Sequence, residues 1–272
     1  MKTILVILIL VYALTTDLHS QQPKDVTILN WSCAYTDFPE CLNGRIKEIH
    51  CHTYWAVQKN GQTEKGALLT EKEHQDNSIS YDYQLFFDPL GNLLRSDYLG
   101  DNSAVTFSYL NEFRNNKQLK EIWVNNNTNV LGEALFNYNE NGLLKEIILT
   151  YISGDSTNKL VISNDAKGNM TQMKTYDSHN VYGGRADYVW NENNNVIQYM
   201  SYSAKDQLLF KRETTYNDHG FIKTIKLYDT DGKILFDFAG DYTYDNKGNW
   251  LTGVWSSSGK PKFFIERTYL YY

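Results

Sequence analysis

Proline is scarce in this chain, at 4 of 272 residues, while tyrosine is abundant at 21. That shortage, together with 14% aromatic content, favours strands, because large flat side chains pack well on a pleated surface. Excess charge is missing too. A net charge of -6 supplies no basic surface, which excludes nucleic acid as the expected partner. The apolar run at residues 4–14 is too short to span a membrane, and helical periodicity is absent after it. Catalytic signatures are also lacking: there is no G-x-S-x-G elbow, no H-E-x-x-H pair and no phosphate loop. The chain is therefore read as non-enzymatic, with no cofactor.

What is present starts with an address. Lys2, the apolar run and Ser20 ahead of Gln21 have the layout of a secretory signal over residues 1–20. Cleavage near Ser20 is expected to leave an exported, soluble protein in the periplasm or the medium. Cys33, Cys41 and Cys51 follow closely. In an oxidising compartment two of them can bridge, with Cys33–Cys41 as the short-loop choice. The sequence does not select the pair, and three unpaired buried thiols are the alternative.

The body of the chain repeats. "YNENGLLKEI" at Tyr138 returns as "YNDHGFIKTI" at Tyr216, with further copies at Phe87, Asn164, Trp190 and Tyr244. The apolar residue two places after the turn falls at Leu93, Leu119, Leu144, Met170, Val196, Ile222 and Trp250, at intervals of 26, 25, 26, 26, 26 and 28. A weaker turn, such as "YDTDGKILF" from Tyr228, lies half a repeat later, so each unit reads strand, turn, strand, turn. Alternation in Phe136-x-Tyr138, Tyr188-x-Trp190 and Tyr242-x-Tyr244 puts these aromatics on one face.

One phrase resists a regular strand. "IKEI" (46–49), "LKEI" (119–122 and 144–147) and "IKTI" (222–225) separate two apolar residues by three, which in a strand sends them to opposite faces. Either the sheet is covered on both faces, or a bulge after each turn returns them to one face; the bulge is favoured, because it leaves Lys and Glu in water. The expected fold is all-β: an antiparallel meander of about 26-residue repeats, roughly 16 to 18 strands. It must form a curled sheet, a spiralling ribbon or a wide barrel. The domain reading is signal 1–20, an N-terminal cap segment 21–42 with Trp31, and a repeat domain 43–272. The final "FFIERTYLYY" is expected to cap the other end, with an edge that could pair with another copy.

The phrase Y-x-Y-D-x-x-G plus an apolar residue resembles the tyrosine-aspartate (YD) repeats of Rhs-type bacterial proteins. "YTYDNKGNWL" from Tyr242 matches best, and "FDPLGNLL" from Phe87 resembles the D-P-x-G variant. The resemblance covers roughly residues 43–272 and implies long antiparallel β-ribbons and an exported habit. The Arg usual after the turn glycine is replaced by Asn92, Leu143, Asn169, Phe221 and Asn249, and no toxin domain is expected after "TYLYY".

Candidate sites are few. In "HCHTYW", His50 and His52 share a strand face with Tyr54, opposite Cys51; with His74 they could hold a metal, but surface or packed histidines are the ordinary reading. Asp229, Asp231 and Gly232 hint at a calcium loop, but Asp-Gly is standard turn chemistry, as it is at Asp88, Asp218 and Asp245. Tyr138, Trp190, Tyr216 and Tyr244 recur in register and read as a structural ladder. Trp55, Trp123 and Trp255 stand off that register and are the candidate ligand contacts. Sequons at Asn30, Asn126 and Asn169 matter only in a eukaryotic secretory pathway.

The expectation is an exported repeat protein binding a glycan or a protein partner through a curved aromatic-bearing sheet. The alternative is an accessory or immunity-like component of an Rhs-type system. An outer-membrane barrel is disfavoured by the Lys and Glu that follow each turn.

Overall fold

The computed structural model describes residues 26–30, 39–77, 79, 82–126, 128–152 and 156–272, with side chains from Leu42 onward except Ser156. The signal segment, Trp31, Cys33 and the Cys41 side chain lie outside what is described.

A hairpin of β1 (Val26–Asn30) and β2 (Pro39–Asn43) leads into β3 (Ile46–Lys59), β4 (Gln62–Leu68), a short helix α1 (Glu71–Asp76) and β5 (Asp82–Phe87). The meander continues with β6 (Leu93–Leu99), β7 (Val105–Arg114), β8 (Lys117–Asn125), β9 (Val130–Tyr138), β10 (Leu144–Tyr151), β11 (Ser156–Asn164) and β12 (Met170–Tyr176). It ends with β13 (Tyr182–Trp190), β14 (Val196–Ser203), β15 (Leu208–Tyr216), β16 (Ile222–Tyr228), β17 (Ile234–Tyr244), β18 (Trp250–Ser257) and β19 (Lys260–Tyr271). Neighbours pair antiparallel, and β19 pairs with β3 to close a 16-strand barrel. β4 is extra to that count. It continues the hairpin of β3 beyond Cys51, where the β3–β5 pairing stops.

Of the three expected shapes, the barrel is the one formed. Two expectations fail with it. The last segment is a wall strand rather than a cap, since Phe263 pairs with Trp55, Arg267 with Cys51 and Tyr271 with Ile46. The barrel's final edge is thereby used up, because closure removes edges altogether. A third expectation, that no helix follows residue 20, is corrected by α1. Thr70 caps it reciprocally: Glu73 N–H donates to Thr70 Oγ1, and Thr70 N–H donates to Glu73 Oε2.

The repeated Asp or Asn explains the turns. Asp165 Oδ1 accepts N–H bonds from Lys167 and Asn169 at 2.8 and 2.9 Å, while Gly168 takes a φ of +89°. Asp245 and Asn217 do the same at their turns. Asp229 Oδ1 likewise accepts from Asp231 and Lys233 N–H, so the calcium-like phrase is a turn. Asn169, at one sequon, is buried with its amide bonded to Asp165 and Asn194.

The bulge is present in every unit. Lys47, Leu94, Leu119, Lys145, Thr171, Ile197, Lys223 and Leu251 are each skipped in the register just after the turn. Ile46 with Ile49, Leu144 with Ile147, and Ile222 with Ile225 are consequently all buried inside. The copy at 119–122 departs from this. Its turn, Asn115–Asn116, has positive φ at both residues, 52° and 57°, which is the tight hairpin geometry. Gln118 and Glu121 therefore take the inward places held elsewhere by Leu144 and Ile147, and both are buried.

A bulge frees a carbonyl, and the next repeat supplies its donor. Tyr138, Tyr216, Tyr242 and Tyr269 O–H donate to Gln118, Val196, Ile222 and Trp250 O at 2.7 to 2.9 Å. Trp190 N–H donates to Met170 O, and the Asn111 and Asn164 amides donate to Leu93 and Leu144 O. Seven of the eight post-turn carbonyls are served in this way. Three of the four ladder aromatics, Tyr138, Trp190 and Tyr216, thus act as structural donors inside the barrel; in the last repeat Tyr242 takes that part, while the Tyr244 hydroxyl oxygen accepts from the Asn217 amide at 2.9 Å.

The end that carries these turns, the lower end, is sealed by aliphatic packing. Leu42 of β2 is 0% exposed within the core cluster, and Asn43 exchanges hydrogen bonds with Asn249 at 2.7 and 2.8 Å. Of the expected cap segment 21–42, only the Leu42 side chain is described, and it packs into the core at this end. The outer wall carries charge at mid-strand, where Lys174 pairs with Arg185 and Glu213 with Lys226, alongside exposed apolar residues such as Leu135 and Leu209. Facing lipid there would cost about 2–4 kcal/mol for each Lys or Arg at the midplane. No helix among the described residues is long and apolar enough to cross a membrane.

Candidate binding site

The upper end of the barrel, opposite the hairpin, carries the second turns and α1. Here β3, β19 and β18 run side by side, and their register aligns Trp55, Phe263 and Trp255 on the inner face. Phe263 is fully buried, whereas Trp55 and Trp255 are half-buried. The ring of Trp55 lies 5.5 Å from Phe263; Phe238 of β17 lies 6.0 Å from both Phe263 and Trp255, and 5.4 Å from Phe236. Lys262, skipped by a bulge in β19, holds its ammonium 5.1 Å from the Phe263 ring. The result is a five-ring aromatic cluster at the mouth of the barrel with one cation at its rim.

Trp55 is held by the helix. Its indole N–H donates to Glu73 Oε1 at 3.0 Å. The Thr70 backbone N–H, the Trp55 N–H and the Thr70 hydroxyl all bond Glu73, which holds its carboxyl below the usual carboxylate range. The Trp255 indole N–H is buried and has no acceptor among the described residues.

Trp123 does not join this cluster. It is 8% exposed, donates its N–H to Glu121 Oε1 at 2.7 Å and packs 5.0 Å from Tyr151. Its ring covers Gly132, where an added Cβ would come within 2.7 Å of it. It is a core residue by position. Of the three tryptophans expected as ligand contacts, Trp55 and Trp255 thus come together and Trp123 stands apart.

The histidines form a different arrangement from the one expected. His50 and His52 do share the outer face, but His50 Nε2 is 3.4 Å from Glu48 and His52 Nδ1 is 2.9 Å from Asp82 Oδ2. His74 arrives from α1, 2% exposed, with Nε2 3.4 Å from Asp82 Oδ1. Thr53 N–H donates to the same oxygen at 2.7 Å, while Thr53 O accepts from Leu69 N–H at 2.9 Å. Asp82 thus replaces the ladder partner that β3 loses as β5 ends and β4 begins. Its hydrogen bond raises the His52 pKa. Burial pushes the Asp82 carboxyl up, but the bonds from His52, His74 and Thr53 outweigh it and hold it below its ordinary value. Among the described residues no group of three or more His, Cys, Asp or Glu has the geometry of a metal centre. The cluster is a clasp that fixes α1, and through Glu73 it fixes Trp55.

Asp82, Glu73 and Phe238 were not legible as site residues. The T-E-K-E phrase at 70–73 signals the helix cap, but nothing in the sequence ties Asp82 to His52. Cys51, inside the wall, is a free thiol pushed up to about 11 by burial.

No protein-family model and no curated protein matches the chain. Solved structures do. A porin-like protein from Bacteroides uniformis is 7% identical, with a TM-score of 0.52 over 83% of this chain and 96% of that one. A porin-like protein from Bacteroides vulgatus is 10% identical, with a TM-score of 0.46 over 83% and 98%. The Photorhabdus luminescens Tc holotoxin pore is 14% identical, with a TM-score of 0.22 over 88% of this chain and 14% of that one. The first of these shares the barrel fold.

Proposed function

We propose that the chain is an exported, non-enzymatic binding barrel whose upper mouth takes a glycan. The observation that carries this reading is the half-buried pair Trp55 and Trp255 within one aromatic cluster at that mouth. Sugar rings lie on aromatic faces, and Glu73 and Lys262 supply the polar contacts that orient them. The same faces would accept an apolar side chain of a protein partner, which is the competing occupant. The charged mid-strand positions of the wall support a protein that works in water, and the layout of residues 1–20 supports export.

The test is a titration of the chain with neutral glycans, followed by tryptophan fluorescence and thermal unfolding. A ligand at one hundred times its dissociation constant should stabilise the barrel by roughly 2.7 kcal/mol. W55A/W255A should abolish that shift. Binding that survives in the double variant, or no response to any glycan class, would refute the mouth as a glycan site.

A second reading rests on the Y-x-Y-D-x-x-G phrase at 242–248. On that reading the chain is an accessory or immunity-like component beside an Rhs-type protein. Co-purification with a long YD-repeat protein encoded by an adjacent gene would support it, and an isolated gene would oppose it.

A further inference from the structure

The outer wall carries its own periodic feature, independent of the mouth. Across β11 to β16 the outward strand positions hold six cations, Lys159, Lys174, Arg185, Lys211, Lys223 and Lys226, against two carboxylates, Asp187 and Glu213. With Asp206, which pairs with Arg185 from the turn before β15, that is a net +3 on a chain whose formal charge is -6. The cations are also ordered. Lys159, Arg185 and Lys211 stand one repeat of 26 residues apart, and so do Tyr176, Tyr202 and Tyr228. The register pairs them across strands as Lys159–Tyr176, Arg185–Tyr202 and Lys211–Tyr228.

Each cation lies against its tyrosine. Lys159 Nζ is 5.3 Å from the Tyr176 ring, Arg185 Cζ is 3.9 Å from Tyr202 and Lys211 Nζ is 4.9 Å from Tyr228. The ring reduces the freedom of a long side chain and fixes where its charge sits. Carboxylates steady two of the three: Asp187 and Asp206 at Arg185, and Glu213 at Lys211. Successive pairs are two strands apart, about 9.5 Å at ordinary strand spacing. The strip is a row of three oriented cations at equal intervals running across the strands.

We propose that this strip binds an acidic polysaccharide with one anionic group in each disaccharide repeat. The partner's chemistry follows from the spacing and the rings. A polymer bearing one charge per two sugars presents anions at the interval of the strip, and it needs no exposed aromatic face. Nucleic acid fits less well. Its charges recur about every 3.4 Å along a strand, and its bases seek open rings on which to stack. Here each ring is already covered by a cation.

The experiment uses the whole chain and three probes: hyaluronan, which bears one carboxylate per disaccharide, dextran as a neutral polymer, and single-stranded DNA. Hyaluronan should bind, weakening about tenfold between roughly 50 and 200 mM salt, and dextran should not compete. K159Q/R185Q/K211Q should lower hyaluronan affinity at least tenfold, whereas K159R/K211R should retain it, which separates charge loss from misfolding. W55A/W255A should leave hyaluronan binding intact, because those residues face inward. Unchanged affinity in the glutamine variant would overturn the proposal, as would DNA bound as tightly as hyaluronan. Hyaluronan binding lost equally in W55A/W255A would overturn it too, by moving the polyanion to the mouth.

Discussion

Removing one hydroxyl should expose how the repeat holds itself together. In Tyr138→Phe the ring remains, and with it the packing against neighbours and the Lys117 ammonium 5.1 Å away. Only the 2.8 Å bond to Gln118 O disappears. That carbonyl has lost its ladder partner to the bulge at Leu119, and Gln118 is 1% exposed, so water does not readily replace the donor. An unsatisfied buried acceptor costs about 1–3 kcal/mol; because Tyr138 itself is half-buried, the lower part of that range, about 1 kcal/mol, is expected. For a chain of this size that corresponds to a fall of about 2–4 °C in Tm. Equilibrium urea unfolding of wild type, Y138F and Y216F should give similar losses with an unchanged slope. The double variant should be additive to within about 0.5 kcal/mol, since the two bonds lie in separate repeats. Y202F, whose ring is on the outer wall, is the control. A loss in Y138F no larger than in Y202F would refute the claim that the bulge depends on its donor.

Other consequences are as direct. Gly132→Ala places a methyl within 2.5 Å of Thr150 O and 2.7 Å of the Trp123 ring, so a loss of about 1–3 kcal/mol and an altered near-ultraviolet spectrum are expected; a neutral result would mean that Trp123 is not packed there. The clasp should make stability depend on pH in two directions. His52 is raised by Asp82, so its contribution is complete below the unfolded value of about 6.5 and is lost as pH rises through the folded value. Asp82 is lowered, so its contribution is present above about 3.9 and is lost as pH falls through its folded value. The Tm gap between wild type and H52Q should therefore be widest near pH 5–6 and shrink toward pH 9; a gap that widens with pH would contradict the clasp. Cys51 is 3% exposed and its thiol is pushed up to about 11, so in a C33S/C41S background a thiol reagent should label it only on unfolding. Rapid labelling of the native protein would place it outside the wall.

The legible part of this fold is the local part. The Asx–Gly turns, the alternation of strands and the I-K-x-I bulge each involve residues within one hairpin, and each has a backbone cause that a short phrase can encode. The copy at 119–122 shows the limit. The phrase "LKEI" is unchanged there, yet a tighter Asn–Asn turn slides the register by one residue and puts Glu121 inside. Closure is not legible, because pairing β3 with β19 joins opposite ends of the chain and leaves no local mark. The same holds for the site. Trp55 and Trp255 are conspicuous as residues outside the repeat, but Phe263 and Phe238 join them only once the seam is formed. The His52–Asp82–His74 clasp depends on where β5 ends, which no spacing announces.

The central claim is that closed wall, and one cross-link tests it. His50 and Thr268 face each other across the β3–β19 seam. Facing residues in antiparallel strands lie about 4.5–5.5 Å apart at Cα, within disulfide reach. In a C33S/C41S/C51A background, H50C/T268C should oxidise quantitatively within the monomer and raise Tm. If the repeats instead form an open ribbon, these two positions lie at opposite edges, and oxidation will give only free thiols or linked dimers.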